Sequence, residues 1–160
     1  MKKEISLGLY KKIVENIPIP SIDILIFNKK LDRTLLFLRN NSPAKNEYYS
    51  IGGRLHKDET LTECVQRNLE KETGLKIQKN KFFYVGVISE TWKNSIFKGV
   101  STHAIVNYFV LKLEEFPKIK LDTQHSKFKW FDVHDKTLHQ YIKEKINKSL
   151  KCLIENGKKR

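Results

Sequence analysis

Residues 52–75, GGRLHKDETLTECVQRNLEKETGL, carry the pattern from which the fold of this chain follows. A glycine-hinged loop feeds one amphipathic helix. Thr60 and Glu63 have the spacing of a capping box, and Gly74 stands where a helix C-terminus takes glycine. At about 100° per residue, Leu61, Cys64, Val65, Asn68, Leu69 and Glu72 share one arc, and Glu59, Glu63, Gln66 and Glu70 share the opposite one. The first arc is mostly apolar and is expected to face the core. Glu72 lies on that side at the helix end, where a lone carboxylate is costly without a partner. Either a cation meets Glu72 there, or the residue emerges where the helix frays.

Upstream, residues 6–16 have the apolar spacing of a short helix that Pro18 and Pro20 bring to an end. The run 21–28, SIDILIFN, reads as a strand with Asp23 as its odd member, either a satisfied structural group or a site residue. Residues 33–39 form a second strand ending in Arg39, and residues 40–47 a loop. Tyr48, Tyr49 and Ile51 lead into the glycine pair, and Arg54 follows it, placed either to clamp phosphate oxygens or to make a surface salt bridge. Downstream, residues 82–89 and 102–113 read as strands, with a loop at 90–101 carrying exposed aromatics Trp92 and Phe97. That loop is a lid, a dimer contact or plain packing. A strand KFKWF follows DTQH at 122–125, and residues 135–155 form a second long helix whose apolar stripe is core packing. These elements predict one α/β domain over residues 1–160, a mixed sheet between helices, with a frayed basic tail at about 156–160.

Lys and Arg number 31 against 18 acidic residues, a net charge of +13, which favours anionic ligands. No RNA-recognition or zinc-finger pattern accompanies the charge, so nucleic acid is not the expected partner. No apolar run reaches the roughly 18 residues of a membrane span. The start, MKKEISLGLY, lacks the apolar segment of a secretory signal. Cys64 and Cys152 fall on apolar helix faces and are expected to be buried free thiols, consistent with a reducing cytoplasm. His56, His134 and His139 read as surface residues, and His103 as a pocket or a packed strand residue.

The quoted stretch resembles a Nudix box, G-x5-E-x7-R-E-U-x-E-E-x-G-U with U aliphatic. Gly53, Glu59, Arg67, Leu69, Glu72, Gly74 and Leu75 match in register, while Asn68 and Lys71 replace two glutamates. The resemblance implies a Nudix-like α/β/α sandwich. It extends over about residues 5–155 to the GDP-mannose mannosyl hydrolase branch, through SID at 21–23, Arg39, NSPA at 41–44, GGR at 52–54, STH at 101–103 and DTQH at 122–125. That branch also lacks these two glutamates. Departures are Ile51 for a proline, Ala104 for a tyrosine, and Glu90 near an expected histidine.

The resemblance implies a Mg²⁺-dependent hydrolase of a nucleotide sugar, GDP-hexose, in which water attacks the sugar C1 and releases GDP and free hexose. Gly52 through its carbonyl, Glu72 and Gln124 would hold one Mg²⁺ per site, all hard oxygen donors. His125 would be the general base, facing a cavity shared with Glu72. Arg39 and Arg54 would hold the diphosphate, and Asp23 would contact the sugar or assist the leaving group. Gly53, Glu59, Arg67 and Gly74 would be structural, with Glu59 pairing Arg67. Relatives of the branch are commonly homodimers. The alternatives are an ordinary Nudix pyrophosphohydrolase using several metals, and a non-catalytic nucleotide- or RNA-binding module.

Overall fold

The computed structural model describes residues 5–157. A single mixed sheet lies between two layers of helix. Its strands are β1 (Ile19–Asn28), β2 (Arg33–Arg39), β3 (Tyr48–Tyr49), β4 (Ile51–Arg54), β5 (Phe82–Trp92), β6 (Thr102–Leu113) and β7 (His125–Asp132). The path runs β3-β2-β1-β6-β5, with β7 on β2 and β4 on β1. β1 pairs parallel with β6 over its whole length, Ile19 opposite Ala104 through Asn28 opposite Leu113. Its other edge is shared: β4 takes residues 21–24, and β2 takes Ile26 and Phe27.

Side chains alternate across a strand, so β1 feeds two cores. Ile22, Ile24 and Ile26 pack with Leu35, Phe37 and Ile51 against α2 (Leu61–Thr73), through Cys64, Val65 and Leu69. Leu25 and Phe27 join Tyr108 and Val110 beneath α3 (Gln140–Gly157), through Ile142 and Ile146. Asp23 has the parity of Leu25 and therefore faces the α3 layer. A short α1 (Leu7–Asn16) precedes the sheet, and of its residues only Val14 is buried. Leu7, Leu9 and Ile17 of the expected apolar stripe are exposed.

Helix α2 has the boundaries its punctuation predicts. Thr60 Oγ1 accepts from Glu63 N–H while the Glu63 carboxylate accepts from Thr60 N–H, and Gly74 closes the helix in the left-handed region at φ 73°. Glu72 is 2% exposed, so the helix does not fray there.

Several boundaries differ from expectation: β1 starts at Ile19 rather than 21, and β7 takes in His125–Asp132 around the KFKWF stretch. β5 runs on to Trp92, because residues 88–92 continue the antiparallel ladder on β6, with Glu90 opposite Ala104. Helix α3 starts at Gln140 rather than 135, since Asp135 Oδ1 accepts from Thr137 N–H and Oγ1, a local turn that competes with helix. It continues to Gly157, into the stretch expected to fray, while residues 158–160 of that tail lie outside the described residues. Cys64 is buried and Cys152 half-buried, both free thiols. Among the described residues no helix is long and apolar enough to cross a membrane.

Candidate active site

The box loop, β1, the 41–44 loop and the ends of β5 and β6 enclose a cavity of about 510 Å³. Asp23, Arg39, Gly52, Gly53, Arg54, Arg67, Glu72 and Gln124 all line it, as do Asn68 and Lys71. His125 does not line it.

The two glycines of β4 point to opposite faces, and each is required by a neighbour on its own face. A Cβ on Gly52 would stand 2.1 Å from the Ile22 carbonyl oxygen and 2.5 Å from Asp23 Oδ1. A Cβ on Gly53 would stand 2.5 Å from Asn68 Oδ1. The loop after them is stapled to α2 by Arg67. Its Nε donates to Glu59 Oε1 at 2.6 Å, and its Nη2 donates to Glu59 Oε2 at 2.8 Å and to the Arg54 carbonyl at 3.1 Å. The Arg67 hydrogen bond holds the Glu59 carboxyl down at about 2. Arg54 itself lies 5.3 Å over the ring of Tyr10, which helps close the cavity from α1.

Glu72 accepts from Gly52 N–H at 3.2 Å. Burial, reinforced by the Asp122 carboxylate, pushes its carboxyl up to about 8. A carboxylate this disfavoured in its ionised form is one that a cation would relieve. Asn68 turns its amide back to the Cys64 carbonyl, 2.8 Å away, and Lys71 is exposed at the cavity rim. Helix α2 thus offers the cavity one carboxylate, one amide and one ammonium, besides the Arg67 guanidinium that Glu59 already engages. Among the described residues no three His, Cys, Asp or Glu side chains converge as metal ligands. The expected donors include only one such side chain, so a set of one carboxylate, one amide and one backbone oxygen does not conflict with this.

Gln124 reaches the wall from a turn tied down on both sides. Asn40 N–H donates to the Gln124 carbonyl at 2.8 Å, and Gln124 N–H donates to Asp122 Oδ1 at 3.0 Å. His125 departs from expectation. It is the first residue of β7, opposite Arg39, and the strand packs its ring edge-on against Phe37 with centroids 5.7 Å apart. The ring is 3% exposed and stands behind the cavity wall. Its Nδ1 is 3.0 Å from Asp122 Oδ1, while Nε2 and Asp122 Oδ2 are buried without a hydrogen-bond partner. Burial lowers the imidazole pKa, against the pull of Asp122.

The largest surprise lies on the opposite wall. Lys145 of α3 is fully buried and bonds Asp23 Oδ2 directly. It also donates to Glu90 Oε1 at 2.8 Å and sits 4.5 Å from the centre of the Tyr49 ring. Ser50 Oγ donates to Asp23 Oδ2 at 2.7 Å, and Tyr49 Oη donates to Glu90 Oε2 at 2.9 Å. Burial raises the Asp23 pKa against the pull of Lys145, and the two carboxylates hold the Lys145 pKa above its usual value. Lys145 was legible as a lysine on the apolar arc of α3, between Ile142 and Ile146, where an uncompensated ammonium is costly.

The remaining histidines divide. His103 bonds Ser89 across the strands at 2.9 Å and does not line the cavity, whereas His56 does. His139 is not a free surface ring: it stacks on Trp92, centroids 4.6 Å apart. Trp92, expected to be exposed, is half-buried at the end of β5.

A family model described as the NUDIX domain matches residues 18–151. The low-salt glycan biosynthesis protein Agl8 of Haloferax volcanii is 30% identical over 139 residues, covering 86% of each chain. Among solved structures, a MutT NUDIX hydrolase from Burkholderia pseudomallei superposes with a TM-score of 0.67 at 17% identity, over 83% of this chain and 98% of its own. The NUDIX domain of Shewanella oneidensis NrtR, complexed with ADP ribose, superposes with a TM-score of 0.65 at 16% identity, over 93% and 99%. The sandwich, the stapled loop-helix and a matched span that takes in all seven strands of the sheet agree, and the chain belongs to the Nudix family.

Proposed function

We propose that this protein is a Mg²⁺-dependent nucleotide-sugar hydrolase that directs water to the sugar C1, releasing a nucleoside diphosphate, GDP by the resemblance to the mannosyl hydrolase branch, and free hexose. The observation that carries it is the composition of the α2 face. One carboxylate, Glu72, stands beside Asn68 and Lys71, too little negative charge to gather several divalent ions for attack at phosphorus. A diphosphate that only has to leave needs less. The name of the Haloferax volcanii relative, a glycan biosynthesis protein, supports a sugar-bearing substrate, and the ADP ribose bound by the NrtR domain supports a nucleotide one.

Arg39, Arg54 and Lys71, all lining the cavity, hold the diphosphate. Glu72, Gln124 and the Gly52 carbonyl would hold one Mg²⁺, a fit supported by the elevated Glu72 carboxyl. Bound there, the ion supplies charge neutralisation to the departing diphosphate. Water bonds to C1 as the C1–O bond breaks, and the electron pair leaves on the diphosphate oxygen, inverting the anomeric centre. The Asp122 carboxylate keeps the proton of His125 on Nδ1, which leaves the lone pair on Nε2. Nε2, buried without a hydrogen-bond partner, is the atom that would take the proton of the water.

Nucleotide sugars are incubated with Mg²⁺ in H₂¹⁸O and the products identified. Label in the free hexose is expected, and label in phosphate rejects attack at carbon. His125→Gln is expected to lower kcat by about a hundredfold or more. The burial of His125 behind the wall favours a second reading, a pyrophosphohydrolase releasing a monophosphate. In that case the label enters phosphate and His125→Gln leaves the chemical step intact.

A further inference from the structure

The cavity lining carries both signs: Arg39, Arg54, Arg67 and Lys71 supply cations, and Asp23, Glu72 and Glu90 supply carboxyl groups, with Tyr49 bonded to Glu90 and Trp92 edge-on to Tyr49. We infer that the Asp23–Lys145–Glu90 cluster is the sugar-recognition wall, with Lys145 as its positioning residue, and that it selects a neutral, hydroxyl-bearing sugar over an anionic uronate. This rests on the nucleotide-sugar reading above.

Three observations carry it. First, the cluster is built to hold its carboxylates still. Lys145, 0% exposed, ties Asp23 Oδ2 to Glu90 Oε1 from behind the wall, and Ser50 and Tyr49 take further positions on the same two carboxylates. Second, that tethering leaves acceptor capacity on the cavity side. Both bonds to Asp23 fall on Oδ2, which leaves Oδ1 as the less engaged oxygen of a carboxylate that lines the cavity. Each Glu90 oxygen carries one bond and retains a lone pair. Third, two carboxylates against one ammonium leave the wall a formal negative charge, which repels a second carboxylate and accepts from hydroxyls. Trp92, half-buried in the cavity lining with His139 stacked on one face, adds apolar surface for the C–H side of a sugar ring, and Ala104, opposite Glu90 on β6, is a small residue beside it.

An ion pair whose function is to orient two acceptors differs from one that merely braces α3 against the sheet. The second role predicts loss of stability without any change in sugar preference. The first predicts a change confined to the sugar half of the ligand.

The test is isothermal titration calorimetry on the full chain with Mg²⁺, comparing three probes. These are the nucleoside diphosphate alone, its neutral hexose carrying methylene in place of the oxygen on C1, and the matching uronate. The parent is expected to bind the neutral hexose probe more tightly than the diphosphate, and the uronate more weakly than the hexose. Glu90→Gln, isosteric and able to keep its bond to Lys145, is expected to lose about tenfold in the hexose-over-diphosphate ratio and to narrow the discrimination against uronate. Affinity for the diphosphate alone should stay within about twofold. Lys145→Met, checked for folding by circular dichroism, is expected to act the same way; if it does not fold, Glu90→Gln decides. The inference is overturned if both ratios survive Glu90→Gln, if the diphosphate weakens equally, or if the parent gains nothing from the sugar. A parent that gains from the sugar yet puts ¹⁸O into phosphate would sink attack at carbon while leaving the sugar wall standing.

Discussion

At the scale of single residues, the site is governed by what little room each position leaves. Gly52 faces backbone atoms that cannot retreat, whereas Gly53 faces the end of one side chain, Asn68. Gly52→Ala is therefore expected to cost roughly 3 kcal/mol or more, because the Ile22 carbonyl and β1 itself must shift. Gly53→Ala should cost less, and Asn68→Ala should recover part of the loss in a double-mutant cycle read by urea unfolding. Glu72 poses the reverse problem, a charge held where burial disfavours it. Glu72→Gln is expected to melt higher than the parent in EDTA, since the amide needs no proton to enter the site. The same variant should lose the thermal stabilisation that Mg²⁺ gives the parent, a readout independent of turnover.

At the scale of elements, loop and helix are joined by one fork of hydrogen bonds. Arg67 grips both oxygens of Glu59 and the Arg54 carbonyl, and Glu59 Oε2 also accepts from His56 N–H. Because the folded Glu59 carboxyl sits at about 2, below its ordinary 4.5, its contribution is fully present above pH 4.5. It fades as pH falls towards 2, where both states are protonated. Glu59→Gln is expected to cost on the order of 1–2 kcal/mol at pH 7, discounted because Arg67 is a third exposed. The gap between variant and parent should close progressively below pH 4.5 in unfolding experiments. A gap that persists at pH 2 would mean that shape, not charge, holds the loop.

At the scale of the whole molecule, Lys145 ties distant parts of the chain together. It reaches from the last helix to Asp23 on the first strand, 122 residues away, and to Glu90, 55 residues away. Removing only the ammonium strands two carboxylates in a buried site. Lys145→Met is expected to cost about 3–5 kcal/mol by denaturant unfolding. Lys145→Met combined with Asp23→Asn and Glu90→Gln should recover much of that, because the cost comes from unpaired charge more than from lost contacts.

How much of this was readable before folding varied with the range of the interaction. Helix α2, its capping box and its left-handed glycine followed from spacing within 24 residues, because a helix obeys a local period and its ends are satisfied by neighbours in sequence, whereas spacing left open whether Glu72 is buried or emerges at a frayed end. The alternation that made Asp23 conspicuous in β1 was equally local. Its partner was not, since no rule of spacing joins residue 23 to residue 145. His125 illustrates the same limit: DTQH marked the residue, but the pairing of β7 with β2 turned its ring to Phe37 and gave the cavity Gln124 instead. Sequence alone determined the family, the box and the thinning of charge along it, all carried by near neighbours. Only the tertiary structure decided which face each side chain meets and which buried charges find one another. Those outcomes depend on strand register and layer packing, and no single segment contains them.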